Sequence, residues 1–421
     1  MTPHRSQAVR DPYAALRYPE YRDFILASFL LTIALLVQEV ALGYELYIIT
    51  NDPLALGLVG LAEAVPFIGL SLFGGHVADR RSKRRLILLS LSAIIAGSAA
   101  LLVSARAAAA GTISSAVLVG VIYATVFLIG LARAFQSPAA SSLRAFLVPV
   151  TVYENAATWS SSAWQAGAII GPAAGGFLFA LLGFADTLFA VVGIFCLAMF
   201  LYFRIKDRGV TEVTAAVNLW ESLAEGIRFV WNTKPILYAI SLDLFSVLFG
   251  GVVAILPVFA KDILNVGAQG LGILRAAPSA GAVLTLMVLS RVSPMRHGWR
   301  NLLIAVFGFG VSILVFAVSS WMALSVCALF LSGAFDSISV VIRQTLLQLR
   351  TPDAMRGRVM AVNGIFISSS NELGAFESGA AARLMGAVPS AVFGGVMTLL
   401  IVAWVAFRTR DLLGQRLDVH G

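Results

Sequence analysis

One short pattern occurs twice in this chain, as GLAEAVP at residues 60–66 and as GILRAAP at residues 272–278. Both copies begin with glycine, carry a charged residue at the fourth position and end in Ala-x-Pro. A second pair, AFQS at 134–137 and AFDS at 334–337, recurs at a similar offset. Because both pairs repeat at comparable offsets, the sequence predicts two similar halves.

The composition around these repeats is that of a membrane protein. The chain has 421 residues, of which 59% are hydrophobic and 12% charged, and its mean hydropathy is +0.89. Soluble domains are about half apolar and about a quarter charged. A membrane-spanning helix needs about 20 mostly apolar residues. Twelve such stretches occur, at 24–50, 54–77, 85–105, 113–141, 155–183, 186–205, 236–260, 266–291, 300–319, 322–348, 356–385 and 388–407.

These stretches predict an all-α membrane protein with twelve transmembrane helices in two pseudo-symmetric six-helix bundles. The N-terminal bundle is expected at 1–205, a linker at 206–234 and the C-terminal bundle at 235–421. Within the linker, residues 219–231 place apolar side chains at helical spacing. This predicts an amphipathic helix on the inner membrane surface that ties the halves together, and a passive linker is its favoured role.

The basic residues indicate how the chain is oriented. Cytoplasmic loops retain Lys and Arg, so the loops rich in these residues are expected inside the cell. Every second connection is rich in them, whereas the intervening connections hold only Arg106, Lys261 and Arg383. The pattern predicts a multi-pass protein of the inner membrane with both termini in the cytoplasm. It also accounts for the net charge of +8, so nucleic acid is not expected as a partner.

No catalytic, metal or cofactor site is expected from the sequence. It lacks a phosphate-binding glycine loop and metal-ligand spacing, and its four histidines are scattered. Cys196 and Cys327 lie within apolar stretches and are predicted to be small buried side chains rather than a disulfide. The chain is therefore predicted not to be an enzyme.

Charged residues inside the apolar stretches are the candidate functional groups. Each costs several kcal/mol in a bilayer unless it meets water or a partner, so their number predicts a water-filled cavity that binds substrate and protons. Any one of them alone could instead form a structural ion pair. The candidates are Glu39, Glu63, Arg133, Asp243, Arg275, Asp336, Arg343, Glu372 and Glu377.

Some of these residues are related by the repeat or by helix periodicity. Glu63 and Arg275 occupy equivalent positions with opposite charge, and could pair across the seam or bond within their own halves; we favour the first. Asp336 and Arg343 are two turns apart and share a helix face, which makes Arg343 the inner neighbour of a substrate-facing carboxylate.

Proton exchange is expected of carboxylates in this set. A carboxylate that moves between water and a desolvated site can take up and release a proton. Glu39, Asp336 and Glu372 are the preferred proton carriers, with Arg133 tuning them.

Several motifs resemble those of the major facilitator superfamily, and the resemblance covers nearly the whole chain. They are GHVADRRSKR at 75–84, RAFQS at 133–137 and GAIIGPAAGG at 167–176. The segments SVVIRQT at 339–345, TPDAMRGRV at 351–359 and SNELGAFESG at 370–379 resemble the branch that includes the enterobactin exporter and macrolide-efflux proteins. The major facilitator fold is therefore expected.

The resemblance also implies roles for individual residues. It implies a cytoplasmic gate in which Asp79 and Arg84 latch against the start of helix eleven, near 354–358, in the outward-open state. The gate set is Gly75, Asp79, Arg80, Arg84, Arg356 and Arg358. The helix-five motif associated with exporters and proton antiporters falls on Gly167, Gly171, Pro172, Gly175 and Gly176.

The expected function is proton-coupled export of a small amphipathic molecule, drug-like or siderophore, by alternating access in a monomer within the lipid bilayer. One alternative is a nutrient-uptake symporter of the same fold, and another is a membrane sensor that does not transport. An excess of buried carboxylates would attract cationic cargo, which conflicts with an anionic catecholate siderophore.

Overall fold

The computed structural model describes residues 11–207 and 219–412, and these form a bundle of long helices. Basic residues at 1–10, 208 and 413–421, and part of the predicted linker, lie outside the described residues. The membrane helices are α1 Pro19–Thr50, α2 Pro53–Arg80, α3 Lys83–Ala109, α4 Ser115–Leu147, α5 153–182, α6 184–204, α7 Lys234–Gly250, α8 Gly267–Leu289, α9 Gly298–Val318, α10 Met322–Arg350, α11 Asp353–Met385 and α12 Ala387–Arg408. A further helix, Leu219–Asn232, is called the linker helix.

The twelve predicted spans correspond to these twelve helices. Within the described residues, ten helical segments are long and apolar enough to cross a bilayer, with Val150–Arg204 counted once. That segment is two helices, because Gly183 has a φ of 77° that reverses the chain between α5 and α6. The twelfth, α11, is long enough at 33 residues but carries charges along its length.

Short turns with local capping join the first helices. Asn51 ends α1 in the left-handed conformation, with a φ of 48°. The Asp52 side chain then accepts a hydrogen bond from the Leu54 amide at 3.0 Å, and Pro53 begins α2. Aspartate at the N-cap and proline at the first helical position both favour a helix start, so α2 begins here.

Helix α7 differs from its predicted span because it does not continue as one regular helix to residue 260. After Gly250 the chain passes through a 3-10 turn at Val252–Ile255, a short α turn and a π turn that ends at Ile263. The Gly250–Gly251 pair weakens the helix at this point. Irregular backbone at membrane depth is tolerated where it is buried in protein or lines a cavity, and Val253 and Pro257 of this segment line one.

The two halves meet at one end of the bundle. We call the end where α1 begins and α12 ends the linker end, and the opposite end the distal end. One apolar cluster crosses between the halves near the distal end, joining Leu42 and Leu46 of α1 to Val252, Leu256 and Phe259 that follow α7. The other apolar clusters stay within one half.

Glycines on α2 show that the halves diverge toward the linker end. Gly57 packs against α11, where a Cβ would stand 3.0 Å from the Phe376 carbonyl oxygen. Gly75 lies five turns further on the same face of α2, yet open space surrounds it. Gly379 on α11 contacts Gly57, whereas Gly357 and Gly364 nearer the linker end face open space. The seam is therefore closed distally and open at the linker end.

The linker helix packs on the C-terminal half. Val230 is buried with Val359 and Val362 of α11, and Gly226 lies against the Arg358 carbonyl oxygen. The predicted helix is thus present, and its partner is α11. The domain boundaries at 205/206 and 234/235 stay predictions.

The two cysteines are free, and both are exposed on their helices. The prediction that Cys196 and Cys327 are buried is therefore wrong. An apolar helix in a bilayer has an outward face that lipid covers, and hydropathy does not distinguish that face from the interior.

Candidate transport site

A cavity of about 280 Å³ lies at the seam between the halves. Helices α1, α2 and α4 line it from one half, and α7, α8 and α11 from the other. Its charged side chains are Glu39, Glu63, Arg133, Arg275 and Glu372. Five of the nine predicted site residues therefore meet in one place, even though they come from five separate helices.

Two ion pairs organise this cavity. Arg133 on α4 pairs with Glu63 on α2, within the N-terminal half. Arg275 on α8 pairs with Glu39 on α1, so this pair joins the two halves. The favoured pairing of Glu63 with Arg275 is wrong.

The helix arrangement explains that error. Helix α2 packs against α11, and α8 packs against α5, so the repeat-equivalent helices α2 and α8 lie on opposite sides of the pseudo-two-fold axis. A side chain on α8 consequently reaches α1 rather than α2. The repeat predicted that Glu63 and Arg275 are equivalent, but equivalence does not imply contact.

Glu372 is the cavity carboxylate that forms no ion pair, and Arg133 interacts with it only electrostatically. Its Oε2 atom lies 3.5 Å from the position that a Cβ would occupy on Gly60. Among the described residues it makes neither a hydrogen bond nor an ion pair. Since both guanidiniums are already paired, the cavity carries one uncompensated negative charge when all five groups are ionised.

Four other predicted site residues do not line this cavity. Asp243 and Arg343 form an ion pair inside the C-terminal half, with side chains only 9% and 2% exposed. Asp336 borders a separate small cavity between α7, α9 and α10. Glu377 lies on α11 beyond the cavity residues. In this structure Asp336 therefore faces its own half rather than a central substrate path.

The distal closure uses residues that the sequence analysis did not select. The Tyr47 hydroxyl donates to Asp262, and Lys261 Nζ donates to Asn51 Oδ1 at 3.2 Å. Arg383 pairs with Asp52 at 2.8 Å. All three contacts join the halves.

A signal for the distal closure was present in the sequence. Lys261 and Arg383 are two of the three basic residues in connections that otherwise lack them. A retained positive charge on the side that normally excludes it indicates a specific partner.

A family model described as transmembrane secretion effector, of the major facilitator superfamily, matches residues 10–418. The chain belongs to this family. It is thus a multi-pass membrane transporter of a small molecule and not an enzyme.

Individual relatives agree with this assignment. The enterobactin exporter EntS of Shigella boydii serotype 18 is 25% identical over 393 residues, which cover 91% of this chain and 90% of that protein. A bacterial homologue of the iron transporter ferroportin, solved in an inward-facing state, superimposes with a TM-score of 0.73 at 15% identity, covering 95% of this chain and 99% of its own. A bacterial homologue of the lysosomal transporter Spinster gives 0.72 at 15% identity, with the same coverages. These structures share the fold.

In this transmembrane secretion effector, the residues of the predicted gate are separated. Asp79 and Arg80 are exposed, and Asp79 makes no hydrogen bond or ion pair with the described residues of α11. Arg84 instead donates to the Phe203 carbonyl oxygen at 2.6 Å and lies 4.8 Å from that ring. Arg358 pairs with Glu225 of the linker helix, and Arg356 is exposed. An unmade latch agrees with a seam that is open at the linker end.

The helix-five motif is a close-packing surface in this structure. A Cβ on Gly167 or Gly171 would stand 2.8 Å from a side-chain carbon of α1, and one on Gly175 would stand 3.0 Å from the Val37 Cα. On the other face, Gly176 packs against Gly272 of α8, next to the Pro172 carbonyl oxygen. The motif therefore connects α5 to its own half and to the opposite half.

Proposed function

We propose that this protein exports a small amphipathic molecule across the inner membrane in exchange for protons, by alternating access. The observation that carries the proposal is the charged seam cavity, closed at the distal end and open at the linker end. With cytoplasmic termini, this arrangement is the inward-open state, in which an exporter loads its cargo.

The distribution of basic residues supports that orientation. Basic residues cluster in the connection of α2 to α3 and in the first turn of α3, at the linker end: Arg81, Lys83, Arg84 and Arg85. Positive charge is retained on the cytoplasmic side of short loops. The linker end is therefore the cytoplasmic end in this proposal.

Glu372 supports proton coupling. A carboxylate with no cationic partner is costly once water leaves its cavity, and binding a proton removes that cost. Closure of the distal end around an empty cavity would exclude water from it, so we expect Glu372 to carry a proton through the return from the outward-open to the inward-open state. It would take up the proton from the distal side and release it at the linker end.

The cross-seam pair links that proton to the movement of the halves. Arg275 and Glu39 hold the halves together near the cavity and must separate, or exchange partners, when the distal end opens. Glu372 lies in the same cavity and offers Arg275 an alternative partner when it is ionised. Competition between these two carboxylates for one guanidinium would couple protonation to conformation.

The cargo is proposed from the relatives and from the cavity. The name of one relative states that it exports enterobactin, which supports a siderophore-like cargo here. The uncompensated negative charge in the cavity instead suits a cationic drug-like compound. Both classes therefore belong in the transport test.

The direct test is accumulation in inside-out membrane vesicles with an acidic lumen, using enterobactin and the cationic dye ethidium as cargo. The wild type should accumulate at least one of them, and a protonophore should abolish the accumulation. Glu372→Gln should lower gradient-driven accumulation by about tenfold or more, because the proton carrier is gone, while leaving gradient-free exchange in place.

Glu377→Gln is the matched control, because it makes the same change on the same helix outside the cavity, and it should transport normally. Accumulation that requires the opposite gradient would favour the uptake symporter and overturn export. If neither compound accumulates in protein that is folded and inserted, the proposal fails for both cargo classes.

A further inference from the structure

A second cavity, of about 390 Å³, lies within the N-terminal half at the linker end. It is formed by the beginning of α1, the end of α4 and the beginning of α5. None of the residues predicted to bind substrate or protons lines it. We call it the vestibule cavity.

The same faces of α1 and α4 line both the vestibule cavity and the central cavity. On α4, Arg133 borders the central site, and Ser137, Ala140 and Arg144 follow it at helical spacing on the same face. On α1, Thr32 and Ser28 lie two and three turns from Glu39 on one face. A molecule that enters from the linker end would therefore pass the vestibule cavity before it reaches the central one.

Hydroxyl and amide groups dominate the polar part of its wall. Ser28 bonds to the Tyr202 hydroxyl at 2.9 Å, and Ser160 lies 3.1 Å from the Tyr21 hydroxyl. Thr32 donates to the Ser28 carbonyl oxygen at 2.9 Å. Four other uncharged polar side chains of the wall have no hydrogen bond to another described residue, so they are available to a ligand. These are Gln136, Ser137, Ser141 and Ser161.

Arg144 is the one charged residue among those that line the vestibule cavity. It forms no ion pair with any described residue, and its Nε atom is buried without a hydrogen-bond partner. Both arginines of the central site have a carboxylate partner, in contrast. A guanidinium whose Nε atom is buried without a partner is costly unless it binds water or an anion.

The chemistry of the wall defines the ligand. A guanidinium surrounded by hydroxyls recognises the oxygens of a carboxylate, phosphate or similar oxyanion, because it donates several hydrogen bonds in one plane. Trp164, 58% exposed, supplies an aromatic surface in the same cavity, whereas Phe24 in the wall is only 4% exposed. A flat apolar body attached to the oxyanion would stack there.

We propose that the vestibule cavity is an oxyanion-binding subsite, in which Arg144 recognises the acidic group of an aromatic or apolar ligand. Its place on a loading path rests on the proposed function, whereas its binding chemistry does not. A separate anionic subsite would let an acidic molecule enter a transporter whose central cavity carries excess negative charge.

Equilibrium binding tests the subsite without any gradient. The purified full-length protein in phosphatidylcholine nanodiscs would be titrated into dansylglycine, which is anionic, and into dansylamide, which is its neutral counterpart. Probe anisotropy reports binding. Arg144→Gln should weaken dansylglycine binding by about tenfold, while dansylamide binds weakly throughout.

Arg22→Gln controls for net charge, because Arg22 is exposed at the linker end of α1 and outside the cavity; it should bind as the wild type does. Arg144→Lys should retain part of the binding, which guards against loss of fold in Arg144→Gln. Equal binding of both probes, or equal loss in Arg22→Gln and Arg144→Gln, would overturn the subsite.

Replacing part of the phosphatidylcholine with phosphatidylglycerol identifies the source of the oxyanion. If anionic lipid competes with dansylglycine in the wild type but not in Arg144→Gln, lipid headgroups occupy the subsite; if it does not compete, free acidic molecules do. Transport that fails while Arg144-dependent binding persists would overturn the proposed function alone. Transport that persists without such binding would overturn the subsite alone.

Discussion

At the scale of single residues, two carboxylate–arginine ion pairs are expected to have different roles, because one is buried within a half and the other lies in the cavity between the halves. Asp243 and Arg343 are almost fully buried within one half, so neither can be solvated when the other is lost. Arg275 and Glu39 lie in the seam cavity, where Glu39 remains 46% exposed. The first pair is expected to stabilise the fold, and the second to change during transport.

The buried pair gives a stability prediction. Asp243→Asn or Arg343→Met alone leaves one buried charge without its partner and should cost about 3–5 kcal/mol of folding free energy. Asp336 interacts electrostatically with both residues, so the variant Asp243→Leu/Asp336→Asn/Arg343→Met, which removes all three charges, should recover most of that loss. Thermal unfolding in detergent measures the effect. A single variant as stable as the wild type would show that the pair is not structural.

The sequence predicted which residues matter better than it predicted how they pair. Hydropathy alone selects a charge inside an apolar stretch, and all five charged residues of the central cavity were found in this way. Partner choice depends on which helices are neighbours, and that is set by packing across the seam. The contact of Arg275 with Glu39 spans 236 positions of the chain, so no local pattern encodes it.

At the scale of helices, glycines allow the seam to close at the distal end. Gly176 on α5 and Gly272 on α8 bring two backbones together where neither would tolerate a side chain. Small residues serve this purpose in membrane helices because there is little hydrophobic force to hold helices together in lipid. The sequence repeat places Gly60 at the position equivalent to Gly272, and Gly60 likewise lets α2 pack closely against α11.

Enlarging one of these glycines should impair distal closure. Gly176→Leu forces a side chain against the α8 backbone, and overpacking of this kind costs about 1–3 kcal/mol. Transport should fall by roughly tenfold. A cysteine placed at Leu46, which is buried in the distal part of the seam, should react faster with a membrane-impermeant maleimide.

Gly193→Leu is the matched control for this substitution, because Gly193 faces open space on α6. It should insert and transport as the wild type does. Equal losses in both variants would mean that leucine harms the fold generally and that the seam contact has no special role.

Helix boundaries were predicted closely, and the exceptions have physical causes. The spans of α1, α3, α8 and α9 were recovered to within several residues, because length and apolarity determine them. The break in α7 was missed, since an apolar run that follows Gly250–Gly251 has the same hydropathy whether it is regular or irregular. The sequence does contain the glycine pair, but hydropathy gives it no weight.

At the scale of the whole molecule, the contacts between halves are unevenly distributed. The apolar cluster, the Arg383–Asp52 ion pair and the Tyr47–Asp262 hydrogen bond all lie at the distal end. At the linker end the predicted gate residue Asp79 makes no hydrogen bond or ion pair across the seam among the described residues. If the two halves rock against each other, the distal contacts break and equivalent contacts form at the linker end. The sequence repeat makes the two halves similar enough for this exchange.

The most direct measurement is a pair of spin-label distances in the same protein, with Cys196 and Cys327 first replaced by serine. One pair, Arg81→Cys with Gly357→Cys, reports the linker end, and the other, Ser114→Cys with Ser320→Cys, reports the distal end.

In the parent protein the linker-end distance should be long and the distal-end distance short. The double variant Tyr47→Phe/Arg383→Gln weakens the distal closure. It should create a second population in which the linker-end distance is short and the distal-end distance is long. Alternating access predicts that the two reversed populations are equal in size. Distances that lengthen together, or a distal opening with no closure at the linker end, would contradict it.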